Sequence, residues 1–442
     1  MSINAHVAKS TIVGALGGLL FGFDTAVISG TTQALTLKYH LSPFMLGVTV
    51  SSALIGTVIG AMTGGIPGQR FGRRSSLRVM AIFYIVSAIG CALAWNWPAL
   101  IVFRFIGGLG IGGSSVLGPM YIAEISPPDW RGRLVGFFQV NIVIGILLAY
   151  CSNAIIGSLH LGATDWRWMF GVSGIPAALF LVALFAIPRS PRWLAMKAEL
   201  SEAFDVLRLI GAPDPKEELD EIIASIHLER SLSSEPLFSR KYKRPVILAI
   251  TVGMFCQLSG INAILYYLND IFSLAGVTGV SGDLQAVAVG AINLVATLLA
   301  MTVIDKIGRR LLLLIGTVGL TVCLIIIAVI FSTRDHLNWL VWLLMLYIAF
   351  FAISEGAVVW VYISEVFPNS VRSKGQSLGA SSHWVTNTLI SLVFPIMAAS
   401  SGAFPFVFFA AMMVINFIVV LFYYPETSNV SLEQMQHRFG ID

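Results

Sequence analysis

The residues with the chemistry to bind something are polar side chains set inside long apolar runs. The segment Phe255 to Tyr267 reads FCQLSGINAILYY and places Gln257, Asn262 and Tyr266 within an apolar run from Val246 to Ile271, with Asn269 near its end. At roughly 1.5 Å of rise per residue such a run crosses a bilayer. An unpaired amide in hydrocarbon costs several kcal/mol, so these amides must line a cavity or join helices. Gly260, between Gln257 and Asn262, predicts a local unwinding that turns both amides to one side. Asn262 and Tyr266 are four apart and share a helix face in any case. One amide alone is read equally well as helix glue; the cluster asks for more.

Further amides occur inside apolar runs at Gln139, Asn293 and Asn387, and Trp360 and Trp384 supply rings. Amides donate and accept, and aromatic faces cover flat C–H surfaces, so the set suits an uncharged polyhydroxyl compound; an anion would call for clustered Lys or Arg. The bulky stripe Trp342, Tyr347, Phe350 and Phe351 reads as helix packing. Asp24, among Leu19, Leu20, Phe21, Val27 and Ile28, is an ionisable group at membrane depth, and Arg104 is the other full charge at that level of the first half. The pair reads either as a static tie between two helices or as a proton switch, with Asp24 ionised beside Arg104 and protonated when the arginine moves off. Glu355, in Ser354-Glu355-Gly356-Ala357-Val358-Val359-Trp360, is read three ways: a second proton site, a ligand contact, or a buried neutral glutamate.

Composition requires these side chains to be positioned by membrane helices. Of 442 residues, 57% are hydrophobic and 11% charged, against roughly 25% charged in soluble chains. Apolar runs near 11–32, 44–66, 78–95, 98–122, 134–157, 167–187, 246–271, 284–304, 311–331, 338–363, 376–398 and 403–424 predict twelve spans. The first carries Asp24 and no cleavage signature, so it is expected to remain as a span. Of 27 Lys and Arg, Lys38, Arg167 and Arg334 fall in loops opposite the termini and Arg104 inside a span; the remainder gather on one side, which predicts cytoplasmic termini. The net charge of +4 therefore reports topology, and no nucleic-acid partner is expected. Cys91, Cys151, Cys256 and Cys323 show no metal or disulfide spacing. The run Gly107-Gly108-Leu109-Gly110-Ile111-Gly112 lacks a phosphate-loop lysine and lies within a span, so it reads as helix packing, and no cofactor or metal is expected. No nucleophile–base pair appears, which argues against an enzyme.

The chain repeats itself. Gly65-x-x-x-Gln69-Arg70-x-Gly72-Arg73-Arg74 answers Asp305-Lys306-x-Gly308-Arg309-Arg310, and Glu124 with Arg131 answers Glu365 with Arg372 at the same spacing. Gly72 and Gly308 lie 236 apart, Glu124 and Glu365 241 apart, and Pro188 and Pro425 237 apart. A six-plus-six duplication follows. Arginines on glycine-bent turns facing carboxylates at neighbouring helix ends predict a charge network on the cytoplasmic side, although each arginine alone is also a topology anchor. The polar stretch 192–243, with helical spacing at Ala203-Phe204-Leu207 and Leu219-Ile222-Ile223-Ile226, predicts short amphipathic helices. The expected organisation is an N-terminal bundle over 1–190, a cytoplasmic helical linker over 191–243, a C-terminal bundle over 244–428 and a tail over 429–442.

These motifs resemble the sugar porters of the major facilitator superfamily, from Gly17 to Thr427. The segment at Gln257 is similar to the family's helix-seven glutamine-glutamine-leucine-serine-glycine-isoleucine-asparagine motif, with Cys256 in place of the first glutamine. Pro188-Arg189-Ser190-Pro191-Arg192 is close to the signature that follows span six, with Arg189 in place of glutamate. Ala357 stands where span ten usually has proline, and Gln69 where the loop usually has an acid or asparagine. The resemblance implies an all-α membrane protein of twelve transmembrane helices in two pseudo-symmetric six-helix bundles, with short cytoplasmic helices between them. It implies sugar contacts at Gln139, Gln257, Asn262, Trp360 and His383, with Phe21, Tyr266, Gly356 and Trp384 lining the cavity and Asn293 as a further contact. Arg73, Arg74, Glu124, Arg131, Arg309, Arg310, Glu365 and Arg372 are implied as the cytoplasmic gate, its first half weakened by Gln69. An aspartate at Asp24 implies proton symport, and the expected activity is import of a hexose or pentose by a monomer in the cell membrane. The alternatives are an uncoupled facilitator, a carrier of a polyol or sugar derivative, and a non-transporting sugar sensor, which long cytoplasmic tails would accompany.

Overall fold

The computed structural model describes residues 4–232, 236–276, 280–368, 370–428, 430 and 432–439, and the side chain of Asp305 falls outside the description. The described residues form helices without strands. The first half contains α1 (Ala5–Val27), α2 (Thr32–Tyr39), α3 (Pro43–Thr63), α4 (Gly65–Phe71), α5 (Arg73–Ala92), α6 (Trp97–Ile125), α7 (Arg131–Ser158), α8 (Asp165–Val172) and α9 (Gly174–Ala183). Three short helices follow, α10 (Pro191–Met196), α11 (Leu200–Leu209) and α12 (Pro215–Leu232). The second half contains α13 (Lys243–Leu258), α14 (Ile261–Tyr266), α15 (Leu268–Leu274), α16 (Val280–Ile307), α17 (Arg309–Thr333), α18 (Leu340–Ile353), α19 (Glu355–Glu365), α20 (Arg372–Ser400), α21 (Phe404–Tyr423) and α22 (Leu432–Phe439).

Eleven helical stretches among the described residues are long and apolar enough to cross a membrane. The twelfth expected span is α20, 29 residues long. Its lower hydropathy has a cause: it carries Ser381, Ser382, His383, Asn387 and Ser391, the polar face needed below.

Contacts divide the chain into two units. The first comprises Met1–Asp24, Ser52–Leu148 and Arg167–Ser234, and the second Thr25–Ser51, Ala149–Trp166 and Glu235–Asp442. The C-terminal ends of α1 and α7 and the N-terminal end of α3 thus group with the second half. There the Tyr150 hydroxyl donates to the Leu265 carbonyl at 3.0 Å, and the Asn153 amide to that of Val27 at 3.2 Å.

In the first unit, Leu77, Met80 and Tyr84 of α5 pack on Ile111, Leu117 and Tyr121 of α6 and on Ala177 and Phe180 of α9. The α6 glycine run is a packing surface, as its sequence suggested. A Cβ on Gly108 would strike the Ala53 carbonyl of α3, and one on Gly112 that of Thr57. Under this bundle, Val7, Trp193, Leu194, Ala203, Val206, Leu207 and Leu219 form a separate core. One expected position is corrected. Phe204 is 37% exposed, because the buried stripe of α11 runs through Ala203, Val206, Leu207 and Ile210, the spacing of a single helix face.

In the second unit, Leu248, Val252 and Cys256 of α13 pack with Val358, Val359 and Tyr362 of α19 and Leu312 and Leu313 of α17. Breaks interrupt its helices at Gly260, Tyr267 and Ser354. Gly260, at φ +89°, separates α13 from α14, a left-handed conformation costing an L-residue about 1–2 kcal/mol. Ser354, at φ −107° and ψ −94°, separates α18 from α19.

Candidate functional site

The Gly260 turn does what its place in the sequence predicted. Gln257 ends α13 and Asn262 opens α14, and the turn folds Asn262 back so that its amide donates to Gln257 Oε1 at 3.0 Å. Gln257 Nε2 in turn donates to His383 Nε2 of α20 at 2.9 Å. An α13 carbonyl freed by the break is also satisfied: Tyr347 of α18 donates to Ser259 O at 2.8 Å. Gln257 is 2% exposed and His383 7%, so the chain Asn262 to Gln257 to His383 is fixed with few competing waters.

Rings flank the histidine. Trp360 lies 4.9 Å from it at 52°, and Trp384 5.3 Å away nearly edge-on. Trp360 is 40% exposed while Trp384 is buried, so Trp360 presents an open face and Trp384 supports the histidine from behind. Tyr266, one turn beyond Asn262, accepts from the Asn387 amide at 3.2 Å, and Asn387 Oδ1 accepts from Ser391 at 3.1 Å. The second unit therefore brings Gln257, Asn262, His383, Trp360 and Trp384 into one group, with Tyr266 tied to Asn387 beside it. Asn293 is buried on α16, and Gly356 is the second residue of α19, at the helix break. Gln139, half-buried on α7, and Phe21, half-buried on α1 against the core of the first unit, belong to that unit.

The candidate proton pair lies within the first unit. Asp24 Oδ2 stands 3.9 Å from Arg104 Nη2, with side-chain exposures of 21% and 3%. That exceeds a charge-assisted hydrogen bond, roughly 2.7–2.9 Å. The Arg104 guanidinium also sits 5.6 Å from the Phe170 ring centre. Glu355 is 1% exposed. Its Oε1 accepts from Asn416 of α21 at 2.6 Å, and Oε2 is buried without a hydrogen-bond partner among the described residues. Asn416 was not singled out from the sequence, although an amide within the apolar run Met412 to Tyr424 was the available signal.

The residues expected in the gate repeat in three dimensions as in sequence. Arg73 Nη2 pairs with Glu124 Oε1 at 2.7 Å, and Arg309 Nη2 with Glu365 Oε1 at 2.9 Å. Gly72 at φ +90° and Gly308 at φ +92° make the same turn ahead of each arginine. Both glutamates are held again from the other side: Ser190 donates to Glu124 Oε2 at 2.5 Å and Thr427 to Glu365 Oε2 at 2.6 Å. Substitution of Gln69 thus leaves the first pair as short as the second. The neighbouring arginines bind backbone: Arg74 donates to Ile187 O at 2.7 Å, Arg310 to Leu421 O at 2.5 Å, Arg131 to Ala123 O at 3.1 Å and Arg372 to Phe367 O at 3.5 Å. The repeat is broken at Arg189. Its counterpart Glu426 accepts from the backbone N–H groups of Arg309 and Arg310 at 2.8 and 3.1 Å, capping α17. Arg189 instead turns outward to Glu199 and Glu202 at 3.2 and 3.4 Å.

Comparison with known proteins gives the family. The family model described as sugar (and other) transporter matches residues 10–439. The chain is 34% identical to the D-xylose-proton symporter of Escherichia coli (strain K12), over 98% of this chain and 96% of that one. It is 37% identical to the arabinose-proton symporter of Bacillus subtilis (strain 168), over 95% and 92%. Its structure matches the inward open conformation of the xylose transporter XylE from E. coli with a TM-score of 0.88 at 34% identity, covering 98% of this chain and 99% of that one. Matched along nearly its whole length in sequence and fold, the chain belongs to the sugar transporter family of the major facilitator superfamily, a family of multi-pass membrane transporters and not of enzymes.

Proposed function

We propose that this protein imports a monosaccharide, a hexose or pentose, together with a proton by alternating access. The observation that carries the proton half is the half-buried Asp24 facing the buried Arg104 at 3.9 Å. An ionisable carboxyl at this depth is stabilised as an anion by the arginine and as an acid when the arginine is displaced, so proton binding and helix movement are linked. The sugar half rests on the group formed by Asn262, Gln257, His383 and Trp360, which offers donors, acceptors and a ring face to a neutral polyol. Gln139, Phe21, Tyr266, Asn293, Gly356 and Trp384 complete the proposed lining. The relatives named for D-xylose–proton and arabinose–proton symport support the same reading.

Two further residues bear on substrate. Cys256 and Glu355 are 3% and 1% exposed, and Glu355 is engaged by Asn416. This favours an ordinary neutral sugar over a cationic derivative, and a proton-binding or neutral structural role for Glu355 over a sugar contact. The halves 1–190 and 244–428 are read as the moving bundles joined by 191–243, with the Arg73–Glu124 and Arg309–Glu365 pairs in the cytoplasmic gate. The protein works as a monomer in the lipid of the cell membrane, with both termini in the cytoplasm, as the positive-inside rule directs.

Uptake of radiolabelled xylose, glucose and arabinose into proteoliposomes, with an imposed inward proton gradient, tests this reading. The wild type accumulates one of them above equilibrium, and Asp24→Asn equilibrates without accumulating. Gradient-driven accumulation unchanged in Asp24→Asn rejects the coupling role.

A further inference from the structure

The 3.9 Å separation of Asp24 and Arg104 raises the question of what lies beside the carboxylate. Polar contacts longer than about 3.5 Å are commonly bridged by water. A cavity opens at this point inside the first unit, lined by Leu20, Asp24, Tyr84, Ser87, Ala88, Phe170 and Ser173. It has space for one water.

The hydrogen-bond inventory of the lining suits one water. Ser173 donates to Phe170 O at 2.6 Å, leaving its oxygen free to accept. Ser114 donates to Ile111 O at 3.1 Å, and the one Tyr84 proton goes to Ser114 Oγ at 2.9 Å or to Gly17 O at 3.5 Å, so the phenolic oxygen keeps a lone pair with which to accept. The contact of Ser87 is a sulfur, Cys91 Sγ at 3.9 Å, a weak acceptor that leaves its hydroxyl able to donate elsewhere. A water here donates to Asp24 and to Ser173 or Tyr84 and accepts from Ser87, three bonds, the usual number for a buried water. The charged and titratable groups facing Asp24 are Arg104 of α6 and Tyr84 and Cys91 of α5; α8 and the Ser173 turn contribute none.

We propose that this cavity is a single-water site through which Asp24 exchanges its proton, with Ser87 and Ser173 as positioning residues. The inference rests on the reading of Asp24 as the proton site. A proton reaching the water makes a hydronium; one of its O–H bonds breaks, an O–H bond forms on an Asp24 oxygen, and a neutral water remains. Release runs the same steps backward. Arg104 keeps its charge throughout and steers the carboxyl.

Ser87→Val and Ser173→Val each replace a hydroxyl on the cavity wall with a methyl and add a second methyl, so both the hydrogen bond and the space for the water are lost. Proton-driven accumulation is expected to fall and the pH of half-maximal uptake to move by about one unit, the scale of one lost hydrogen bond to a charged group. Sugar exchange at equal concentrations, which needs no net proton movement, is expected to persist. Ser173→Thr, which keeps the hydroxyl, is expected to regain most of the wild-type pH profile. Valine variants with the wild-type profile and accumulation overturn the proposal. If they fail to fold, infrared difference spectra of the wild type in ordinary and oxygen-18 water decide it. A water band that changes with pH and is lost in Asp24→Asn supports the site, and its absence overturns it. Should the wild type show no gradient-driven accumulation, the symport reading fails by itself, while the spectra still decide whether the water is present.

Discussion

The bond between Gln257 and His383 is the joint of the proposed sugar site, and its energy can be measured. Gln257→Ala removes a side chain that is 2% exposed, leaving His383 Nε2 and the Asn262 amide without the partners they have at 2.9 and 3.0 Å. Each stranded buried group costs about 1–3 kcal/mol. Part of this falls on the protein without sugar, where neighbouring groups relax, so the loss in binding is expected to be about 1.5–3 kcal/mol, or about ten- to 150-fold in Kd. His383→Ala loses the same bond and also the ring held between Trp360 and Trp384, and a similar loss is expected. Because the two substitutions remove one shared interaction, the double variant should be less impaired than their sum by about 1 kcal/mol. Calorimetric titration of purified protein, with the sugar that most raises its melting temperature, gives all four corners of the cycle. Monodisperse elution confirms that each variant is folded. Losses that add to within about 0.3 kcal/mol, or wild-type affinity in Gln257→Ala, would refute the claim that this bond shapes the site.

Gly260→Ala must hold φ +89° with a Cβ that strikes the Phe409 ring, so melting is expected several degrees lower, with sugar affinity reduced because Asn262 no longer folds back. Glu124→Ala leaves the guanidinium of Arg73, 5% exposed, buried beside a lost partner, a change costing about 3–5 kcal/mol; poor expression or a large fall in melting temperature is expected, and the equivalent Glu365→Ala should do the same. Glu355→Gln keeps the hydrogen-bonding shape offered to Asn416, whereas Glu355→Ala strands that amide at 3% exposure. Thermal unfolding should therefore be near wild type in the first and lower by about 1–3 kcal/mol in the second, and a comparison of the two pH profiles shows whether Glu355 also carries a proton.

The membrane class, the span count, the duplicated loops and the pairing of Gln257 with Asn262 across Gly260 were all legible in the chain. Each depends on residues close in sequence or on a period repeated along it: hydropathy over about twenty residues sets a span, and a glycine between two amides sets a turn. Even α20, the least apolar span, was legible as the apolar run near 376–398. The partners of several buried polar groups were not legible, because packing chooses them across the whole chain. His383 meets Gln257 across 126 residues, Glu355 meets Asn416 across 61, and Ser190 closes on Glu124 across 66. Spacing likewise left Arg74 and Arg310 as candidates for carboxylates, whereas the folded helices offer them the carbonyls of Ile187 and Leu421. Buried polar atoms take whichever partner the helix contacts bring within about 3 Å, and those contacts exist only once the bundle has assembled.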